Sequence, residues 1–393
     1  MLKAISLFSG AGGFCEGVRL AGFKVVCAVE ADKPACETHR ANFTDVALFE
    51  GDIARFLRDE KRGIPGRAEL TKKRIDLVYG GPPCQGFSQI GPRKLNDPRN
   101  RLYKEFVRVV RLLQPSMFIM ENVPDMFAME NGHFRGKILS SFRRAGYARI
   151  VAIPLVASDF GVPQHRRRVF VFGVKDGLNL KGDLEQTVKA LLAKLKTERV
   201  VSVREAISDL PKRVSQEDGP ISYPPRRKRK YSAFQRLMRL DCNTALLPAA
   251  RKRGPDKLDA LHNHHTKGIE ARRKKIIRAI APGGTAESLP KQLWNGVRDH
   301  KWRRLDPDKP SYTILAQMHR DLSEWIHPTH NRWITVREAA RLQSFHDGFI
   351  FRGSECQQLK QVGNAVPPIM ALAVACAAKQ LLAGVKAKSR PRS

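Results

Sequence analysis

Ile75-Asp76-Leu77-Val78-Tyr79-Gly80-Gly81-Pro82-Pro83-Cys84-Gln85-Gly86-Phe87-Ser88 is the stretch from which the rest of this chain can be read. Its first five residues form a short apolar run of the kind that makes a buried strand. Two glycines and two prolines then end that strand in a stiff loop, with Cys84 inside it. The carboxyl ends of strands are where α/β folds place their chemistry. A thiol in a surface loop at such a position reads as a nucleophile. The alternative is a free cysteine buried in a turn.

Outward from this stretch, strand-like and helix-like patterns alternate through the first 175 residues. Strands are expected at residues 4–8, 24–29, 46–49, 75–79, 117–120, 148–156 and 168–174, and helices up to residue 20, at 33–42 and at 101–113. This alternation predicts an α/β fold with a mostly parallel sheet and helices on both faces. After about Asp176 the pattern weakens. Prolines and the charge runs 226–230, 251–253 and 272–275 point to a smaller, irregular domain inserted over residues 177–325. Helical periodicity returns at 335–345, with Ala339, Leu342 and Phe345 on one face, and again at 367–382. The expected organisation is a domain over 1–176, the insertion over 177–325, a segment over 326–385 that returns to the first domain, and a basic tail over 386–393 whose composition suits disorder. No internal repeat is visible.

The chain carries 71 lysines and arginines against 38 acids, a net charge of +33. Such an excess repels itself unless an anionic partner relieves it, and a nucleic acid is the natural one. Residues 201–310 hold 26 of the basic residues against 12 acids, about twice the charge density of the rest. No run of 18 apolar residues suggests a membrane span, and the first residues do not read as a signal peptide. Seven scattered cysteines without a CxxC pair suit a reducing, cytoplasmic setting. His262, His264 and His265 lack a cysteine at ligand spacing, so no metal is expected.

Phe8-Ser9-Gly10-Ala11-Gly12-Gly13-Phe14 joins the first strand to the first helix. Gly10, Gly12 and Gly13 let the backbone approach a ligand at a helix start. Cys15 occupies the last glycine position of a dinucleotide fingerprint, and no Gly-Lys-Ser/Thr follows to make a phosphate loop. Glu30, at the end of the second strand, can accept from ribose hydroxyls, and Asp52 from an adenine amino group. The ligand inferred is an adenosine that needs no phosphate contacts; the bland alternative for both carboxylates is capping or a surface loop. Glu121 ends another apolar run, where desolvation suits a carboxyl to act as an acid. In Gln164-His165-Arg166-Arg167-Arg168, alternation places Gln164, Arg166 and Arg168 on one face, ready to hold a carbonyl oxygen or a phosphate. The alternative for these arginines is a solvated patch.

Taken in order, residues 8–14, Glu30, Asp52, Pro82-Pro83-Cys84-Gln85, Glu121-Asn122-Val123, Gln164-x-Arg166-x-Arg168, the stretch Arg337 to Phe345, and Gly363-Asn364-Ala365-Val366-Pro367-Pro368 resemble the DNA (cytosine-5)-methyltransferases of bacteria. Two departures stand out: Ser6 where the family usually has an acid, and His346 where a proline commonly follows Ser-Phe. The resemblance implies a Rossmann-like class I methyltransferase domain, a target-recognition domain over 177–325, and S-adenosylmethionine as cofactor without a metal. It implies that Cys84 adds to carbon 6 of a cytosine flipped out of duplex DNA. Glu121 would meet ring nitrogen 3, and Arg166 and Arg168 the carbonyl oxygen. Phe8 would stack on the adenine, Glu30 bind the ribose, Asp52 take the adenine amino group, and Asn364 close the pocket. A methyltransferase of the same fold acting on tRNA, and a non-catalytic nucleic-acid-binding protein, are the rival readings. The implied location is cytoplasmic, with the nucleoid; a separate cognate restriction endonuclease and a solitary role are both left open.

Overall fold

The structure, a computed structural model, describes residues 1–56, 58, 65–83, 102–128, 133–222, 231–240, 260–294 and 301–386. Cys84, the basic runs 226–230 and 251–253, and the tail from residue 387 lie outside the described residues. The chain divides into two compact units: Met1–Val156, Arg167–Lys196 and Met370–Ser393 form the first, and Ala157–Arg166 and Thr197–Ile369 the second.

The first unit is built on a sheet of β1 (Lys3–Leu7), β2 (Lys24–Glu30), β3 (Ala47–Glu50), β4 (Leu77–Gly80), β5 (Met117–Asn122), β6 (Arg149–Val156) and β8 (Arg167–Val174); β7 (Gln164–His165) belongs to the second unit. The order is β3-β2-β1-β4-β5-β8-β6. The first five strands are parallel, and β8 lies antiparallel between β5 and β6. β4 and the Met117–Met120 part of β5 are buried along their whole length, as strands covered on both faces must be. This is why they read as continuous apolar runs. Helix Leu102–Leu113 buries Tyr103, Phe106, Val109, Val110 and Leu113, spaced to share one helical face. Phe118 stacks on Phe142 at 3.9 Å between ring centroids, and Phe106 meets both rings edge-on. Removing a ring from such a cluster costs about 3–5 kcal/mol.

The strand order reverses between β1 and β4, which have β2 and β5 as their outer neighbours. This switch point opens a crevice at the carboxyl ends of the strands. Helix Pro368–Lys386 is apolar enough in composition to suggest a membrane span, yet Met370, Ala371, Val374, Ala375, Ala377 and Ala378 are buried inside the protein. It packs on helix Gly13–Leu20 at Gly17, where a Cβ would lie 2.5 Å from the Ala371 Cβ.

The second unit has little sheet. Ile221–Ser222 pairs antiparallel with Ala260–Leu261, and Ser311–Tyr312 pairs parallel with β7. Buried polar networks hold it instead. Arg341, wholly buried, pairs with Asp209 and with Asp347 at 2.6 Å. Arg337 donates to the carbonyls of His262, His346 and Phe349. Boundaries were expected at 176/177 and 325/326; the compact units divide at Lys196/Thr197 and Ile369/Met370, and these contacts bear on the second of the two differences. Residues 326–369 group with the second unit, because helix Val336–Leu342 is tied to Asp209 and to the 262–263 segment; the first unit resumes at Met370. The three clustered histidines have protein partners here. His264 meets the Thr335 hydroxyl at 3.1 Å and the Pro211 carbonyl at 2.9 Å; His265 lies 3.2 Å from Asp218; the His262 carbonyl accepts from Arg337.

Candidate active site

Along one edge of the sheet, the first unit gathers the ends of β1, β2, β4 and β5 and the start of antiparallel β8. Phe8, immediately after β1, is half-buried and has a left-handed backbone with φ 54°. A non-glycine residue in that region is strained by about 1–3 kcal/mol unless its surroundings hold it. They do: the Ser9 N–H donates to the Val29 carbonyl at 3.0 Å, and the Gly12 N–H to the Ser9 carbonyl at 3.0 Å. Gly12 has φ 106°, and a Cβ there would lie 2.2 Å from the Phe43 ring. The turn thus needs glycine both for its conformation and for its space.

Glu30 ends β2 with its carboxylate fixed. One oxygen accepts from the Gly10 N–H at 2.7 Å, the other from the Ala31 and Asp32 N–H groups at 2.8 Å each. The carboxylate therefore spans from the glycine turn to the next strand end. Asp52 is exposed and accepts from the Ala54 N–H at 2.8 Å, so one of its oxygens serves the turn that was its bland alternative. The arrangement fits an adenosine: a half-buried aromatic face, close backbone from the glycine turn and a fixed carboxylate.

Across the switch point, Glu121 and Arg168 form an ion pair, Oε1 to Nε 2.9 Å, with both side chains little exposed. Burial pushes the Arg168 guanidinium down from the ordinary arginine value, and Glu121 pulls it back up. The pair lies where β4 gives way to the cysteine loop: a Cβ on Gly81 would come within 2.6 Å of the Glu121 Oε2. Asn122, the next residue, donates from its amide to the Pro82 carbonyl at 2.9 Å and accepts from the Val123 N–H at 2.9 Å. Gly81 gives the carboxylate room, and Asn122 ties down the first residues of the loop that leads to Cys84.

Arg166 has a different setting from that expected of it. It is 1% exposed and belongs to the second unit. Its guanidinium donates to the carbonyls of Ile314 at 2.8 Å, Gly363 at 2.9 Å and Ala365 at 3.0 Å. Those bonds suit a clamp on backbone more than a contact to a substrate carbonyl. Gln164 behaves likewise: its amide joins Gln343, the Leu342 carbonyl and the Ile314 N–H. Asn364, between the two carbonyls that Arg166 grips, is exposed at the end of its helix. Strand alternation correctly separates these residues from their neighbours, but it cannot tell a carbonyl-clamping arginine from a ligand-binding one.

Three residues to which the sequence assigned no role take part. Asn122 clamps the loop start, Gly81 makes room for Glu121, and Phe43 floors the glycine turn. Asn122 lay inside a quoted motif and is the one with a signal in the sequence. Among the other described cysteines, burial pushes Cys15, Cys27 and Cys36 upward, Cys27 and Cys36 to about 12. Such thiols stay protonated and inert.

The family model for C-5 cytosine-specific DNA methylase matches residues 2–380. Type II methyltransferase M.AgeI of Thalassovita gelatinovora is 34% identical, covering 95% of this chain and 98% of that protein. Type II methyltransferase M1.HphI of Haemophilus parahaemolyticus is also 34% identical, covering 95% and 86%. Among solved structures, an E. coli prophage-encoded protein assigned as a DNA modification methyltransferase superposes with a TM-score of 0.74 at 29% identity, covering 98% of this chain and all of the other. The S. pombe Dnmt2 methyltransferase shares the fold, with a TM-score of 0.58 at 16% identity over 98% and 99%.

Proposed function

The chain belongs to the C-5 cytosine-specific DNA methylase family, and on that premise we propose how its own residues carry out the reaction. The protein is a DNA (cytosine-5)-methyltransferase of the kind that uses S-adenosylmethionine. When bound, S-adenosylmethionine supplies an electrophilic methyl group. Phe8 would hold its adenine by stacking, the turn at Gly10, Gly12 and Gly13 would admit it closely, Glu30 would accept from the ribose and Asp52 from the adenine amino group, and Asn364 would complete the cofactor-binding set.

The target cytosine is flipped out of the duplex, because carbon 6 is unreachable inside the stack. Carbon 5 is a weak nucleophile until a thiolate adds at carbon 6. Cys84 supplies that thiolate. Its electron pair forms the sulfur–carbon bond, and the ring gains density at nitrogen 3 and at the carbonyl oxygen. Glu121 gives a proton to nitrogen 3. Arg168 holds Glu121 in place and faces the carbonyl oxygen. The pairing sets a condition on this step: Arg168, paired with Glu121 before substrate enters, has to turn toward the carbonyl oxygen as Glu121 gives up its proton. After methylation, carbon 5 loses its proton to a base, for which water suffices, the electron pair of that bond re-forms the ring double bond, Cys84 departs with the sulfur–carbon pair, and nitrogen 3 returns its proton to Glu121. Arg166 acts one step back, as a positioning residue for the backbone around Asn364.

The observation that carries this reading is the Glu121–Arg168 pair lodged against Gly81 at the start of the cysteine loop. The protein should label plasmid DNA from radiolabelled S-adenosylmethionine, and Cys84→Ala should abolish labelling. Labelling of tRNA in preference to plasmid, or full activity of Cys84→Ala, would overturn it. The type II relatives support a place beside a restriction endonuclease in the cytoplasm. Bisulfite sequencing of DNA from expressing cells would give the modified sequence, and that DNA should resist an endonuclease of the same specificity.

A further inference from the structure

Helix Ala271–Ala279 holds five cations in nine residues: Arg272, Arg273, Lys274, Lys275 and Arg278. All five are exposed, and among the described residues no ion pair involves any of them. The charges sit badly for the helix itself. Three fall in its first turn, where the macrodipole disfavours cations; the acid beside them is Glu270 at the N-cap, whose side chain makes no capping bond. Lys274 and Arg278 are a like-charged pair one turn apart.

The helix is nevertheless built rigidly. Ile276, Ile277 and Ile280 are buried beneath it. Its carbonyl end is capped by Arg304, only 5% exposed, which donates to the Ile277 carbonyl while also holding the His327 carbonyl at 3.2 Å, the His330 carbonyl at 3.3 Å and Asn331 at 2.9 Å. The Gly284 carbonyl accepts from the Arg304 N–H at 3.0 Å and closes the following turn. A solvated charge run would need none of this. Here a fixed scaffold holds mutually repelling cations with no ion-pair partner among the described residues.

We propose that helix Ala271–Ala279 is a docking rail for the sugar–phosphate backbone of duplex DNA, used whatever the base sequence. The proposal rests on the methyltransferase reading, which makes duplex DNA the polyanion this protein must engage. Lys274, Lys275 and Arg278 lie three and four residues apart and share one exposed face. The helix is about 13 Å long at 1.5 Å per residue. Phosphates follow one strand about every 3.4 Å along the duplex axis, so the rail spans roughly four of them.

The test is the salt dependence of binding by the full-length protein, on one duplex carrying its methylation sequence and one lacking it. Each phosphate contact contributes about 0.9 to the slope of log affinity against log salt. The triple variant K274Q/K275Q/R278Q should lower that slope by roughly two to three, equally on both duplexes, with turnover at saturating DNA unchanged. The charge-conserving variant K274R/K275R/R278K should keep the wild-type slope, which separates lost charge from a damaged fold. An unchanged slope in the triple variant overturns the rail. So does a loss confined to the cognate duplex, or one seen on single-stranded RNA and not on duplex DNA. Failure of the wild-type protein to methylate DNA would instead sink the methyltransferase reading, independently of the slopes.

Discussion

At the scale of single residues, the site turns on a carboxylate and a guanidinium that need each other. Glu121→Gln removes both the proton donor for nitrogen 3 and the charge that stabilises Arg168. General acid catalysis is worth about 10²–10⁴, so turnover should fall by at least about 10², and thermal melting should show destabilisation as well. Unaltered turnover would exclude Glu121 from the chemistry. His39 offers a second test. It is fully buried, its ring tilted against Phe43 at 4.6 Å between centroids, and among the described residues neither ring nitrogen has a hydrogen-bond partner. Burial, with help from the charges of Arg19 and Arg40, pushes it down to about 3. The unfolded chain protonates its histidines below about 6.5, so between pH 6.5 and 3 it binds a proton that the folded protein does not. Stability is therefore fully present above about 6.5 and falls as pH drops. His327, also pushed down to about 3 chiefly by burial, adds in the same direction. Denaturant titrations at pH 7 and pH 5 should show the loss, and His39→Leu should flatten it by up to about 1.4 kcal/mol per pH unit. The acid role of Glu121 was legible in the sequence, but its pairing with Arg168 was not, and a lone histidine in a helix such as His39 is silent there.

At the scale of elements, the strand–turn–helix unit around Gly12 is the most demanding piece of local structure. Gly12→Ala would force a side chain onto the Phe43 ring from a backbone that disfavours one. We expect S-adenosylmethionine to bind at least about tenfold more weakly, with a loss of roughly 1–3 kcal/mol in stability. Calorimetric titration and melting curves would measure both, and wild-type affinity would remove Phe43 from its role as a floor. Helix Lys33–Asn42 and the strands of the first unit are where apolar periodicity places them, because buried strands and one-sided helices leave strong local patterns. Helices Arg67–Lys72 and Leu184–Ala193 were not anticipated, the first because its six residues are too few to show a period. Within the second unit, helix Val336–Leu342 was legible from its periodicity, while residues 177–325 were read as irregular, since much of the order there comes from arginines bonded to carbonyls more than a hundred residues away. No local window contains that information. For the same reason, the bonds from the two terminal nitrogens of Arg166 to backbone carbonyls were not legible beside its expected role at the substrate.

At the scale of the whole molecule, a net charge of +33 should act in opposite directions on two measurements. Salt screens self-repulsion and also releases the advantage of neutralising phosphates. Raising salt from about 50 to 200 mM should raise the melting temperature of the free protein while weakening duplex binding by about 10³–10⁵ for six to ten phosphate contacts. Both effects moving together, or neither moving, would show that the charge excess is not poised for a polyanion. The sequence made this property visible at once. It could not show which cations stand on ordered backbone.

The packing of helix Pro368–Lys386 on helix Gly13–Leu20 bears on how the protein is made. The two surfaces that meet at Gly17 and Ala371 are separated by about 350 residues of synthesis. At about 5–20 residues per second, the amino-terminal helix waits roughly 20–70 s on the ribosome for the partner that covers it. Throughout that interval the nascent first unit shows bare apolar surface, so the demand for chaperone protection is set by the order in which the chain is synthesised.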